Sequence, residues 1–172
     1  KTKTKNWGEF LVGFALLFIG LAELKNAVPD VKNNPEVLNF LAGFADPSFL
    51  SRLMFVGVGT LLTIVVQSSS AAMALTLVLC NTGVIPFEVA AAMVLGENIG
   101  TTITAELASM VGNVHAKRSA RIHSMFNIIG VTWMLILMPY ALDIVNYVSI
   151  NYFGSISPYT AVDGWGDSMS PV

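Results

Sequence analysis

The sequence predicts an all-α membrane protein in which transmembrane helices accompany a re-entrant or broken helix. Composition, the placement of charge and one polar interruption carry that prediction. Hydrophobic residues make up 54% of the 172-residue chain and charged residues 12%, half the ~25% charge of soluble domains. This excludes a disordered chain, a nucleic-acid binder with a basic face and an ordinary soluble enzyme. From residue 53 to residue 87, 35 positions pass without a charged side chain. A single helix of that length overshoots the ~30 Å hydrocarbon core. In its middle stand Gln67, Ser68, Ser69 and Ser70, so two short helices meeting at a polar break explain both the length and the interruption. Non-helical backbone at that depth is tolerated only where protein buries it or it lines a wet cavity. The lone Cys80 excludes an intrachain disulfide framework and a zinc cluster built on several cysteines.

The remaining elements follow in chain order. Residues 10–24 are apolar except for Glu23 and predict a short or tilted crossing that stops near Pro29, since a full span needs ~20 residues. Lys1, Lys3 and Lys5 ahead of this stretch mimic a secretory signal, but no small-x-small cleavage site follows, which rejects that reading. Residues 30–46 are polar, and Val37, Leu38, Phe40 and Leu41 within them predict a short amphipathic interfacial helix. Asn81, Thr82, Gly83 and Pro86 make a turn. A second apolar stretch, 89–95, is expected to break at Gly96-Glu97-Asn98-Ile99-Gly100 and to resume over 101–111. His115, Lys117, Arg118 and Arg121 then read as a basic loop, and 124–142 as a final span with Trp133 inside it and Tyr140 and Tyr147 near an interface. Residues 1–150 thus form a single transmembrane region, which the resemblance given below implies is one repeat, and 151–172 an extramembrane loop or tail. An excess of positive charge on the inner side places Lys1–Lys5 and the 117–121 segment in the cytoplasm, in a multi-pass protein of the inner or plasma membrane.

Two polar clusters carry the candidate chemistry. Gln67, Ser68, Ser69 and Ser70 offer an amide, three hydroxyls and backbone N–H groups freed at a helix start, which suit an anion. The same oxygens suit a hard cation such as sodium. One serine alone is explained by a bond to its own i−4 carbonyl, but four polar residues in a row within an uncharged stretch point to a site. In the second cluster Asn98 can cap a helix, the glycines permit tight geometry, and Thr101 and Thr102 add hydroxyls. Glu97 and Glu106 bracket it, and an ionisable residue at membrane depth is a functional candidate. Thr102 and Glu106 share a face at i, i+4 spacing. The alternative stays open that Glu97 merely faces a helix N-terminus and that Glu106 reaches the interface. His123 can pair with Asn127, four residues on along one helical face, and a structural hydrogen bond across helices is favoured over catalysis. A Ser–His hydrolytic dyad lacks any Gly-x-Ser-x-Gly elbow, so no enzyme is expected.

Gln-Ser-Ser-Ser at 67–70, Asn-Ile-Gly-Thr-Thr at 98–102 and His-x-x-Phe-Asn at 123–127 together resemble the type II sodium/phosphate cotransporter family, over residues 10–137. The resemblance implies two inverted repeats, each contributing one broken segment to a midplane site for phosphate and sodium. This chain carries one such set, most similar to the second repeat of bacterial members, without their helical PhoU-like extension. A partner half, a homodimer or a missing segment is therefore implied, and the start at Lys1 rather than methionine fits a missing first half. By the same resemblance, Ser68, Ser69, Ser70, Asn98 and Thr101 would bind phosphate, and Gln67, Ser69, Thr101 and Thr102 would hold sodium. Gly100, Glu97, Glu106, His123 and Asn127 are further candidates. Glu97 departs from the small residue usual in the family, which leaves a cation ligand or a proton carrier as its readings.

The leading expectation is sodium-coupled phosphate symport within the lipid bilayer. A transporter of another anion on the same fold, or a non-transporting membrane subunit, are the rivals.

Overall fold

A computed structural model describes residues 2–27, 48–82, 84–155 and 157–159. The interfacial helix expected at 37–41 lies outside the described residues, as does Gly83. The chain divides into two units, residues 1–30 and residues 31–172. In the first, α1 (Thr2–Ala27) is about 39 Å long, enough for a bilayer core. Aromatic side chains at i, i+3 and i+4 spacing line one side of it. Trp7 meets Phe10 edge-on at 5.9 Å, Phe10 stacks on Phe14 at 6.0 Å, and Phe14 meets Phe18 at 4.8 Å.

Among the described residues, the second unit holds four helices. Ser48 caps α2 (Phe49–Val66), its hydroxyl accepting from the Ser51 N–H at 3.2 Å. After α2 comes the expected break. Gln67 turns into the left-handed region at φ 57°, Ser68 is extended, and α3 (Ser69–Asn81) starts at once. At 13 residues α3 is about 20 Å long, too short to cross alone. A turn ending on Pro86 leads into α4 (Phe87–Ser109). Asn113 caps the 40-residue α5 (Val114–Phe153), accepting from the Ala116 N–H at 2.9 Å; Gly154 closes it at φ 61°. Among the described residues, three helices are long and apolar enough to span a membrane: α1, α2 and α5.

Two expectations are corrected here. The break at residues 96–100 does not exist, because this segment lies inside the continuous α4. The Asn98 amide and the two threonine hydroxyls that follow bond the helix they stand on. The Thr101 hydroxyl donates to the Glu97 carbonyl at 2.9 Å, Thr102 to Ile99 at 2.8 Å, and the Asn98 amide to Val94 at 3.2 Å. The basic segment is helical too. His115, Lys117, Arg118 and Arg121 occupy the first turns of α5, and the linker has shrunk to residues 110–113.

The glycines serve packing. In lipid the hydrocarbon chains are as apolar as leucine, so helices associate through close contact of small residues and through interhelical hydrogen bonds. Ala92, Gly96 and Gly100 repeat at four-residue spacing, and all three are buried. A Cβ on Gly96 would run into the Val56 carbonyl, and one on Gly100 would lie 2.6 Å from Cβ of Thr63. Gly59 of α2 answers from the other side against the Met93 carbonyl. The Thr60 hydroxyl adds a shared bond across the seam, 2.8 Å from the Val56 carbonyl and 2.9 Å from that of Gly96. The order of these contacts makes α2 and α4 run in the same direction. α3 returns antiparallel to α4, with Thr76 opposite Glu97 and Cys80 packed with Val89, Ala90 and Met93. Helices α2 and α3 thus form a hairpin with residues 67–68 at its tip. α5 packs on α4, its Val131, Leu135, Met138 and Leu142 forming one cluster with Ala92 of α4 and Val56 of α2.

Candidate transport site

The hairpin tip is polar and open. Left-handed backbone at a residue with a Cβ costs of order 1 kcal/mol, and Gln67 is the one non-glycine residue at positive φ among those described. Its N–H still closes the end of α2 on the Thr63 carbonyl at 2.8 Å. The Ser68 hydroxyl accepts from the Ala71 N–H at 3.3 Å, which satisfies one of the four N–H groups that a helix start leaves without intrahelical acceptors. The N–H groups of Ser69 and Ser70 belong to the same unsatisfied turn and stand at the positive end of the α3 dipole. Gln67, Ser68 and Ser70 are exposed and Ser69 is half-buried. Such a tip can bind an anion through N–H and hydroxyl donors, and a hard cation through hydroxyl and amide oxygens.

The second cluster flanks the approach to this tip. Gly100 lies against Thr63, one helical turn before Gln67. Asn98 is exposed, Thr101 half-buried, and Gly100 and Thr102 buried. A threonine hydroxyl that donates to a carbonyl keeps lone pairs that can coordinate a cation. Among the described residues, no hydrogen bond joins Ser68, Ser69 or Ser70 to Asn98, Thr101 or Thr102, so the chain brings the two motifs to neighbouring helices without fusing them into one cradle.

The other candidates separate further. Glu106 is half-buried and accepts from the Ser124 hydroxyl at 2.8 Å, a tie between α4 and α5; it shares a face with Thr102, whose own hydroxyl turns to the Ile99 carbonyl. The expected side-chain pairing of His123 with Asn127 is corrected: the Asn127 amide bonds the backbone carbonyl of His123 at 3.0 Å, and His123 is exposed. One turn of helix brings that carbonyl within reach before the imidazole. Glu97 is 1% exposed and receives the Thr76 hydroxyl at 2.6 Å. Thr63 and Thr76, both buried, were not among the sequence candidates. The available signal was their position as lone hydroxyls in apolar runs, at four residues before and nine residues after Gln67. Beside these polar groups, an apolar groove of about 490 Å³ opens between α3, α4 and α5, lined by Leu77, Phe87, Ala91, Met138 and Leu142.

Known proteins bear on this geometry. The chain is 31% identical to the uncharacterized protein YqeW of Bacillus subtilis over 148 residues, covering 84% of this chain and 46% of that protein. It is 29% identical to the putative inorganic phosphate export protein YjbB of Escherichia coli, covering 77% of this chain and 23% of that one. Over 93 residues it is 40% identical to mouse sodium-dependent phosphate transport protein 2C, covering 51% of this chain and 16% of the relative. The chain therefore spans less than half the length of these curated relatives. No solved structure matches it. The family model described as Na+/Pi-cotransporter matches residues 39–157, a stretch that includes the hairpin tip and its flanking helix, and the chain belongs to that family.

Proposed function

We propose that this chain supplies one repeat of a transporter that moves inorganic phosphate across the inner or plasma membrane together with sodium, and that it is not an enzyme. The observation that carries the proposal is the α2–α3 hairpin tip, where Gln67, Ser68 and Ser70 stand exposed at the start of a helix too short to span the bilayer. Polar groups at that depth need a wet cavity or a protein partner. A second repeat, from another segment or from a second copy in a dimer, would set its own helix start opposite this one. Two opposed helix N-termini would then hold the phosphate oxygens on N–H groups and serine hydroxyls. Ser68, Ser69, Ser70, Asn98 and Thr101 are the phosphate-facing groups in this reading, and Gln67, Ser69, Thr101 and Thr102 the sodium-facing ones. Sodium offsets the substrate's negative charge in a low-dielectric surrounding, which couples the two ions. Rocking of one repeat against the other about the tip gives alternating access.

The relatives named as phosphate exporters favour a second reading in which the same site moves phosphate outward. Uptake of radiolabelled phosphate into proteoliposomes, with the sodium gradient imposed in either direction, tests both. Accumulation that follows an inward sodium gradient supports symport. Phosphate movement indifferent to sodium overturns the coupling. No movement from folded protein, alone and with a complementary repeat, overturns transport.

A further inference from the structure

The first turns of α5 carry Lys117, Arg118 and Arg121, all exposed, and from Val114 to Leu142 this helix holds no acidic residue. Among the described residues, none of the three cations is in an ion pair. The carboxylate of the neighbouring helix at this end, Glu106 of α4, accepts from Ser124 on the packed side of α5. That packed side is marked by Ala120, Val131, Leu135, Met138 and Leu142, all buried. Helical spacing puts Arg118 and Arg121 on a different side, in one row with Met125, Ile129 and Ile136. These three are 61%, 63% and 61% exposed, so the row is open to lipid. At 1.5 Å per residue it runs about 16 Å from Met125 to Ile136, the depth of one leaflet of a ~30 Å hydrocarbon core. Arg121 and Arg118 stand about 6 and 10 Å beyond Met125, where long side chains reach the headgroup layer.

We propose that Arg118 and Arg121, flanked by Lys117, bind the phosphate of an anionic phospholipid whose acyl chain lies along Met125, Ile129 and Ile136. Charge and shape together select this occupant. A guanidinium meets phosphate oxygens through paired N–H donors. A cluster of cations with no acidic neighbour on its helix favours a headgroup of net negative charge over a zwitterionic one. The apolar row that continues from the arginines then offers the acyl chain its bed, and free inorganic phosphate would leave that row unused. The site is separate from the hairpin tip. Thr63, one turn before Gln67, lies against Gly100 of α4, whereas Arg118 and Arg121 lie beyond Ser124, which meets α4 at Glu106. It is built from one helix of this chain, so it needs no second repeat and does not depend on the transport reading.

Native mass spectrometry of the purified, delipidated chain in detergent tests this, with titration by phosphatidylglycerol or by phosphatidylcholine of the same acyl chains. Phosphatidylglycerol should bind the more tightly. Arg118→Gln and Arg121→Gln should each lower its affinity about fivefold, and the double variant about thirtyfold, toward the phosphatidylcholine value. Both side chains are exposed, so an unchanged thermal midpoint is expected and serves as the folding control. Should the double variant fail to fold, the single variants decide. Lys5→Gln removes a charge that Glu9 already pairs at 3.5 Å and should leave both affinities in place. Inorganic phosphate at millimolar concentration should not displace the lipid. Equal affinity for the two lipids in folded wild type, or a preference that survives in the arginine variants, overturns the proposal. Displacement by inorganic phosphate overturns it in favour of a free-anion site. An equal loss in Lys5→Gln overturns it as well, since net charge alone would then explain the binding.

Discussion

Residues 67–70 and residues 96–102 are both runs of small and polar residues set inside apolar helix, yet one breaks the chain and the other does not. At 67–70 the backbone leaves the helix: Gln67 goes left-handed, Ser68 turns its hydroxyl forward to cap α3, and the tip stays exposed. At 96–102 the hydroxyls and the Asn98 amide turn backward onto carbonyls of the preceding turn, and α4 continues. The difference lies in the neighbours. Gly96 and Gly100 are pressed against α2 so closely that Cβ atoms would collide with its backbone and with Thr63, and a helix so gripped gains packing along both flanks. At the serine run, Gln67, Ser68 and Ser70 stay exposed instead. Polar small residues in a membrane helix therefore serve either as an opening or as a seam, and the surrounding contacts choose between them.

The largest effect that would break this comparison is expected at the seam. Gly96→Val should cost about 3 kcal/mol or more, because the added side chain meets backbone rather than a movable side chain; a sharp fall in folded yield and thermal midpoint in detergent checks it. An unchanged midpoint would mean that α2 and α4 do not pack as described. At the tip, Ser69→Ala and Ser70→Ala should leave the midpoint in place and lower phosphate transport by about tenfold, the value of a lost hydrogen bond to a charged ligand. Equal losses of stability and transport would turn the tip into a second seam. Gln67→Gly sharpens the contrast further. It should stabilise the fold by about 1 kcal/mol by relieving the left-handed residue while weakening sodium dependence, since the amide oxygen is lost. Smallest of all, Ser124→Ala removes one bond to Glu106 between α4 and α5 and should cost about 0.6 kcal/mol, as such bonds do in membranes; chemical denaturation in mixed micelles reads it.

The break at Gln67 was legible because hydrocarbon thickness limits any uninterrupted helix, so 35 uncharged residues with a polar centre had to divide. The apparent second break was not legible as a seam, since GlyGluAsnIleGly has the same local signature whether its glycines release the backbone or admit a neighbour. Nor was the first part of α5 readable as helix. Charge density at Lys117, Arg118 and Arg121 looks like a loop in a membrane protein, whereas a cap at Asn113 carries the helix straight through it.

The sequence by itself determined that this is an α-helical membrane protein and where its hairpin turns. Those properties follow from transfer energies and helix length, which act locally along the chain. Only the tertiary structure decided that Gly96 and Gly100 hold helices together, that Glu106 ties α4 to α5, and that Thr76 and Glu97 meet in the sealed interior. Those outcomes depend on which residues from distant segments share a few ångströms of space, and no local pattern encodes that distance.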